Sequence, residues 1–177
     1  FLYFHNVKNI PLAQAMSEHF SINIDYYDLK NEFFFTKSEI LKFKKNFELP
    51  KNFSLIQSIS KKTFTSNKNW KLEGIQNIIN SFPEINWIQI GKLNEPKLKK
   101  CNYLFDLNLR QLAYVIYKCN FLVTYEGLFN HLANCFDKKN FLIHTGFLHA
   151  NSINYKNNIL IEENNSMKCY PCFDLNC

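Results

Sequence analysis

The stretch Phe121-Leu122-Val123-Thr124-Tyr125-Glu126-Gly127-Leu128-Phe129-Asn130-His131-Leu132-Ala133 decides the reading of this chain. Its first five residues are apolar or β-favouring and read as a buried strand. Glu126-Gly127 interrupts the run, and Leu128–Phe136 reads as a helix that follows at once. Strand, acid, glycine and helix in that order form the joint of a βα unit.

Outward from this joint the same alternation repeats. On the N-terminal side, Asn108 can cap a helix whose Leu109, Leu112, Ala113 and Ile116 face inward. Tyr103–Phe105 is a short strand, and Ile85–Ile90 is a strand ending at Gly91. Trp70–Phe82 is a helix with Leu72, Ile75, Ile78, Ile79 and Phe82 on one stripe, stopped by Pro83. Phe53–Ile59 is the first strand. On the C-terminal side, Phe141–His144 and Ile159–Ile161 complete the set. Short apolar strands alternating with helices of about three turns predict a Rossmann-like α/β domain over 51–168, a doubly wound parallel sheet with helices on both faces.

Residues 1–50 read differently. Pro11 can open a helix carrying Leu12, Ala15, Met16 and Phe20 on one face, and Thr36–Phe47 forms a second, closed by Leu49-Pro50. This region is expected to be the end of a preceding domain and the connection from it. Residues 169–177 form a cysteine-rich tail. The chain opens on Phe1 and runs straight into apolar sequence, as expected of a piece of a longer protein.

Composition limits the function. Of 177 residues, 46% are apolar and 20% charged, which supports a packed core and argues against wholesale disorder. There is no apolar run of the length a spanning helix needs and no visible secretory signal. Twenty lysines and one arginine against 15 acids give a net charge of +6, suited to anionic ligands or an anionic membrane surface. A single arginine and scattered lysines, with no basic-aromatic stripe, argue against nucleic acid as a partner. Cys101, Cys119 and Cys135 fall in core elements and are expected to be buried free thiols.

In an open parallel sheet, ligands bind beyond the carboxyl ends of the strands, where helix N-termini present free N–H groups. Three loops fall there. Ser58–Trp70 carries Ser58, Lys61, Lys62, Lys68 and further hydroxyls up to Ser66; Gly91–Pro96 carries Lys92 and Glu95; Thr124–His131 carries Glu126, Gly127, Asn130 and His131. Glu126 can accept two sugar hydroxyls or, equally, act as a first-turn acid favoured by the helix dipole. Gly127 lets a ligand approach the backbone, and Asn130 can point toward the same crevice. His131 is either a site residue or a core histidine beside Leu128 and Cys135. Lys68 is either a point charge for a diphosphate or a solvated loop lysine, and Trp70 reads as a packing anchor. No GxGxxG or GxxxxGK[ST] run occurs, which disfavours ordinary dinucleotide enzymes and P-loop ATPases.

The ordered set Lys68-Asn69-Trp70, then Trp87-Ile88-Gln89-Ile90-Gly91, then Leu109–Ala113, then Phe121–Ala133 resembles the donor-binding half of glycosyltransferase family nine, the lipopolysaccharide and autotransporter heptosyltransferases. The likeness covers about residues 50–165. Glu126 and His131 keep the family's acid-to-histidine interval, but the usual acid is Asp followed by Ser/Thr-Gly, and Glu126-Gly127-Leu128 departs from that. The resemblance implies the C-terminal half of a GT-B enzyme, a cytoplasmic protein in which this half holds a nucleotide-diphospho-sugar. The other half would hold a glycan or protein acceptor and the catalytic base, and the enzyme could touch the inner membrane peripherally. Ser58, Lys68, Glu95, Glu126, Gly127, Asn130 and His131 are the implied donor-site residues, and the transfer itself would require no cofactor. The alternatives are a non-catalytic nucleotide-sugar or glycan-binding module and a nucleotide-sugar epimerase. Cys169, Cys172 and Cys177 have the spacing C-x2-C-x4-C, in which the close pair can chelate Zn or Fe. Some autotransporter members of the family carry a cysteine-ligated iron near the C-terminus, while free thiols are the other reading.

Overall fold

The structure, a computed structural model, describes residues 10–23, 30–60, 68–162 and 171–172. Six strands, β1 (Ser54–Gln57), β2 (Trp87–Gly91), β3 (Asn102–Phe105), β4 (Phe121–Tyr125), β5 (Lys139–His144) and β6 (Asn158–Glu162), form one sheet. Its order is β3-β2-β1-β4-β5-β6, and every pairing is parallel. The chain builds outward from β1 to β3 and then returns to lay β4 on the other side of β1. That reversal leaves a crevice beyond the carboxyl ends of β1 and β4.

Successive strand residues feed opposite faces, as the pleat requires. Leu55, Ile88, Ile90 and Leu122 enter one core with Leu112, Ala113 and Ile116 of α4 (Leu109–Lys118) and Leu132 and Ala133 of α5 (Leu128–Cys135). Ile56, Trp87, Val123 and Tyr125 enter the other with Ile75 and Ile79 of α3 (Leu72–Ser81). Both faces of the sheet are covered, and the strands are nearly continuous in apolar character for that reason. Asn108 caps α4 through a capping box with Gln111.

Three inward assignments are corrected. Phe82 and Leu109 are about half exposed, because they stand at the C-cap of α3 and the first turn of α4, where the helix has left the sheet or not yet reached it. Phe20 is likewise exposed at the C-cap of α1 (Leu12–His19), in which Ala15 and Ser17 are buried. Cys101, Cys119 and Cys135 are free thiols, but only Cys119 is fully buried, and its burial pushes the thiol up to about 12. A one-turn helix, α6 (Ala150–Ile153), was not anticipated.

The segment before β1 is tied to this body. Phe33, Phe35, Phe47 and Leu49 pack on the α4/α5 core, with Phe35 stacked on Phe136 at 5.7 Å. Thr36 and Glu39 close a capping box at the start of α2 (Lys37–Asn46). Arg110 of α4 grips the Glu39 carboxylate and donates to the Phe34 carbonyl at 2.7 Å, while its guanidinium lies over the Phe33 ring. This fork-shaped contact is one an arginine makes and a lysine does not.

Candidate functional site

The carboxyl ends of β1 and β4 are stitched together by side chains. Gln57 accepts a hydrogen bond from the Tyr125 N–H and donates to the Ile59 carbonyl. The Tyr125 hydroxyl accepts from the Trp70 N–H at 3.2 Å, fixing the end of the loop that carries Lys68. Burial pushes the Tyr125 phenol up to about 12, so it stays a neutral strut. Trp70 packs its ring against Gly74, where an added Cβ would approach to 3.0 Å.

Lys68 and Glu126 meet above this stitch. Nζ lies 2.5 Å from Oε1, and the side chains are 19% and 6% exposed. Apart from Lys68, no described residue donates to either Glu126 oxygen. The ammonium also stands over the Phe147 ring at 4.9 Å. Gly127 follows with φ 131°, a backbone conformation that needs glycine, and the space a Cβ would take is open.

Two hollows open on either side of this pair, and both are lined by Lys68, Glu126 and Gly127. The first, of about 600 Å³, continues over Ser60, Gly91 and Glu95 to an apolar end at Leu104, Leu107 and Leu112. Glu95 folds over Gly91 so closely that a Cβ there would come within 2.1 Å of Oε2. The second, of about 550 Å³, is lined by Asn31, His131 and Tyr155 together with Met16 and Leu148. Both volumes are those of small-molecule sites.

The structure therefore brings Lys68, Glu95, Glu126 and Gly127 around the first hollow and sets His131 on the second. One expected site residue is corrected. Ser58 is fully buried and its hydroxyl accepts from Gln89 at 2.9 Å, so it braces β1 against β2 and does not face the crevice. Ser60, two residues on, lines the first hollow, and its Oγ has no hydrogen-bond partner among the described residues. Asn130 is also buried, its amide spent in a chain: Thr124 donates to Asn140, Asn140 to Asn130, and Asn130 to the Ile153 carbonyl. It holds α5 to β5 and α6, and it also lines the second hollow beside His131. His131 keeps one side in solvent, its Nδ1 bonded to the Tyr155 hydroxyl at 2.6 Å, and desolvation lowers its pKa.

Lys61, Lys62, Ser66, Cys169 and Cys177 lie outside the described residues. Cys172 is half-buried, with its N–H donating to the Gly146 carbonyl. Among the described residues no three His, Cys, Asp or Glu side chains gather as a metal would require. No described helix is long and apolar enough to cross a membrane.

No family model matches this sequence, and no curated protein matches it. Solved structures do. A family 9 glycosyl transferase from Veillonella parvula superposes with TM-score 0.64 at 13% identity, covering 93% of this chain and 53% of its own. E. coli ADP-heptose lipopolysaccharide heptosyltransferase II gives 0.59 at 13% identity, over 78% of this chain and 47% of its own. An E. coli heptosyltransferase bound to ADP gives 0.58 at 14%, over 88% and 51%. This chain has the fold found in these glycosyltransferases. The resemblance read from the motifs thus extends to the three-dimensional structure, as a likeness of fold. The chain spans about half the length of the structures it matches.

Proposed function

We propose that this chain is the donor-binding, C-terminal half of a GT-B glycosyltransferase and binds a nucleotide-diphospho-sugar across the Lys68–Glu126 pair. The observation that carries the reading is the position of that pair: a half-buried cation and a buried carboxylate at the switch point of the sheet, with a hollow on each side. A nucleotide base would lie against Leu104, Leu107 and Leu112, with its ribose near Glu95. The diphosphate would reach Lys68, the Ser60 hydroxyl and the N–H groups opening α5. The E. coli neighbours bound to ADP and to ADP-2-deoxy-2-fluoro heptose support this class of donor.

Transfer from such a donor builds negative charge on the departing phosphate, and a positioned cation stabilises it where it develops. In the ligand-free pair Lys68 is neutralised by Glu126. An incoming diphosphate would share the ammonium and release Glu126 to accept hydroxyls. The acceptor and the base that deprotonates it are assigned to a second domain, in the cytoplasm or at the inner membrane surface. The test is calorimetric titration of ADP, GDP and UDP and their sugars into the chain. Binding of one series, weakened by Lys68→Ala, supports the reading; no binding in any series contradicts it.

A further inference from the structure

The first hollow ends in leucines, whereas the second presents hydroxyl-recognising groups from three separate segments of the chain. Among the described residues, Lys68, Glu126 and Gly127 alone line both, so a ligand that occupies both passes over the ion pair. A diphosphate is a linker whose charge suits that crossing, and beyond it lies the group to be transferred. Resting on the nucleotide-sugar reading above, we propose that the second hollow receives the glycosyl ring, and that Asn31 and Tyr155 are positioning residues that aim His131 at a sugar hydroxyl.

The direction of the hydrogen bonds makes the argument. Asn31 Nδ2 can only donate, and it lies 3.1 Å from the Tyr155 hydroxyl. With one lone pair so engaged, Tyr155 is free to direct its own O–H to His131 Nδ1 at 2.6 Å, and we assign it that direction. Nδ1 is then the acceptor, and the neutral imidazole carries its proton on Nε2. Nε2 has no hydrogen-bond partner among the described residues, and desolvation favours the neutral ring this requires. Asn31 also reaches the His131 carbonyl at 3.4 Å, which ties the segment before α2 to the first turn of α5. Met16 and Leu148 supply apolar wall for the C–H face of a sugar, and Glu126 supplies an acceptor opposite the donor on His131. The segment before residue 50 thereby helps to select the sugar.

The experiment titrates each nucleoside diphosphate (ADP, GDP, UDP) and its sugar (ADP-heptose, GDP-mannose, UDP-glucose) into the full chain and into variants. For the series that binds, Tyr155→Phe, Asn31→Ala and His131→Leu are expected to weaken the nucleotide-sugar about tenfold and leave the bare diphosphate within about twofold. His131→Gln, which keeps a donor near the Nε2 position, should recover most of the loss. Nitrogen-15 NMR of the His131 ring should show the Nε2–H tautomer in the native chain and a mixture in Tyr155→Phe. Equal losses for the diphosphate and its sugar, or no loss for either, overturn this inference while leaving the nucleotide site intact. No binding in any series overturns both readings. Should Tyr155→Phe not fold, the two His131 variants decide alone, since that side chain is exposed.

Discussion

Lys68 Nζ and Glu126 Oε1 stand 2.5 Å apart and line both hollows, with the Glu126 side chain only 6% exposed. A carboxylate so deeply placed depends on its cation. Removing Lys68 leaves an uncompensated buried charge, at about 3 kcal/mol for pairs of this kind and toward 2 here, since Lys68 is partly solvated. Lys68→Ala and Glu126→Gln should each destabilise the fold, and the double variant by less than their sum. Urea unfolding of the four proteins measures the coupling; strict additivity would show that the pair does not interact.

Glu39 gives a prediction in pH. Its hydrogen bonds to Arg110 and to the Thr36 N–H lower its pKa from 4.5 to about 2. A depressed carboxylate contributes stability that is complete above its unfolded pKa and lost as pH falls through the folded one. The advantage of the native chain over Glu39→Gln should therefore be constant above about pH 5 and shrink between 4.5 and 2. Urea midpoints across that range check it; an advantage that grows with acid contradicts the assignment.

The segment from β2 to β3 tests the glycine. Gly91 has φ 153° with the Glu95 carboxylate folded over it. Gly91→Ala should cost about 1–2 kcal/mol in backbone strain and displace Glu95. Its nucleotide affinity should then fall as far as that of Glu95→Ala. If Gly91→Ala unfolds normally but binds nucleotide as well as the native chain, Glu95 is not at the ribose.

Thiol chemistry separates the cysteines. Cys119 is buried and held far from its thiolate, whereas Cys135 and Cys172 are half-buried. Maleimide labelling read by mass spectrometry should modify Cys119 only on unfolding. Its labelling in the native protein at the rate of an open thiol would contradict the packing.

The sheet was legible because each strand is a short apolar run bounded by polar loops, and β4, Glu126-Gly127 and α5 fall within a residue of their reading. The loops that carry Lys68 and Glu126 were legible because the carboxyl-edge rule selects loops rather than side chains. What the rule cannot select is which side chain in a loop turns inward. Ser58 and Ser60 are alike in sequence, and only the partner Gln89, 31 residues away, draws Ser58 into the core. Asn130 is held by Asn140 and Ile153 where it lines the second hollow, contacts that its sequence neighbours do not announce. Asn31 and Tyr155 are 124 residues apart, and no local pattern announces their contact.

The central claim is that the Lys68–Glu126 pair marks a nucleotide-sugar site. It is tested most directly by titrating ADP, GDP and UDP and their sugars into native, Lys68→Ala and Glu126→Ala chains whose folding is checked by circular dichroism. The account predicts that one series binds, that Lys68→Ala weakens diphosphate and nucleotide-sugar alike by at least about tenfold, and that Glu126→Ala weakens the nucleotide-sugar more than the diphosphate. Unaltered binding in both folded variants would contradict it.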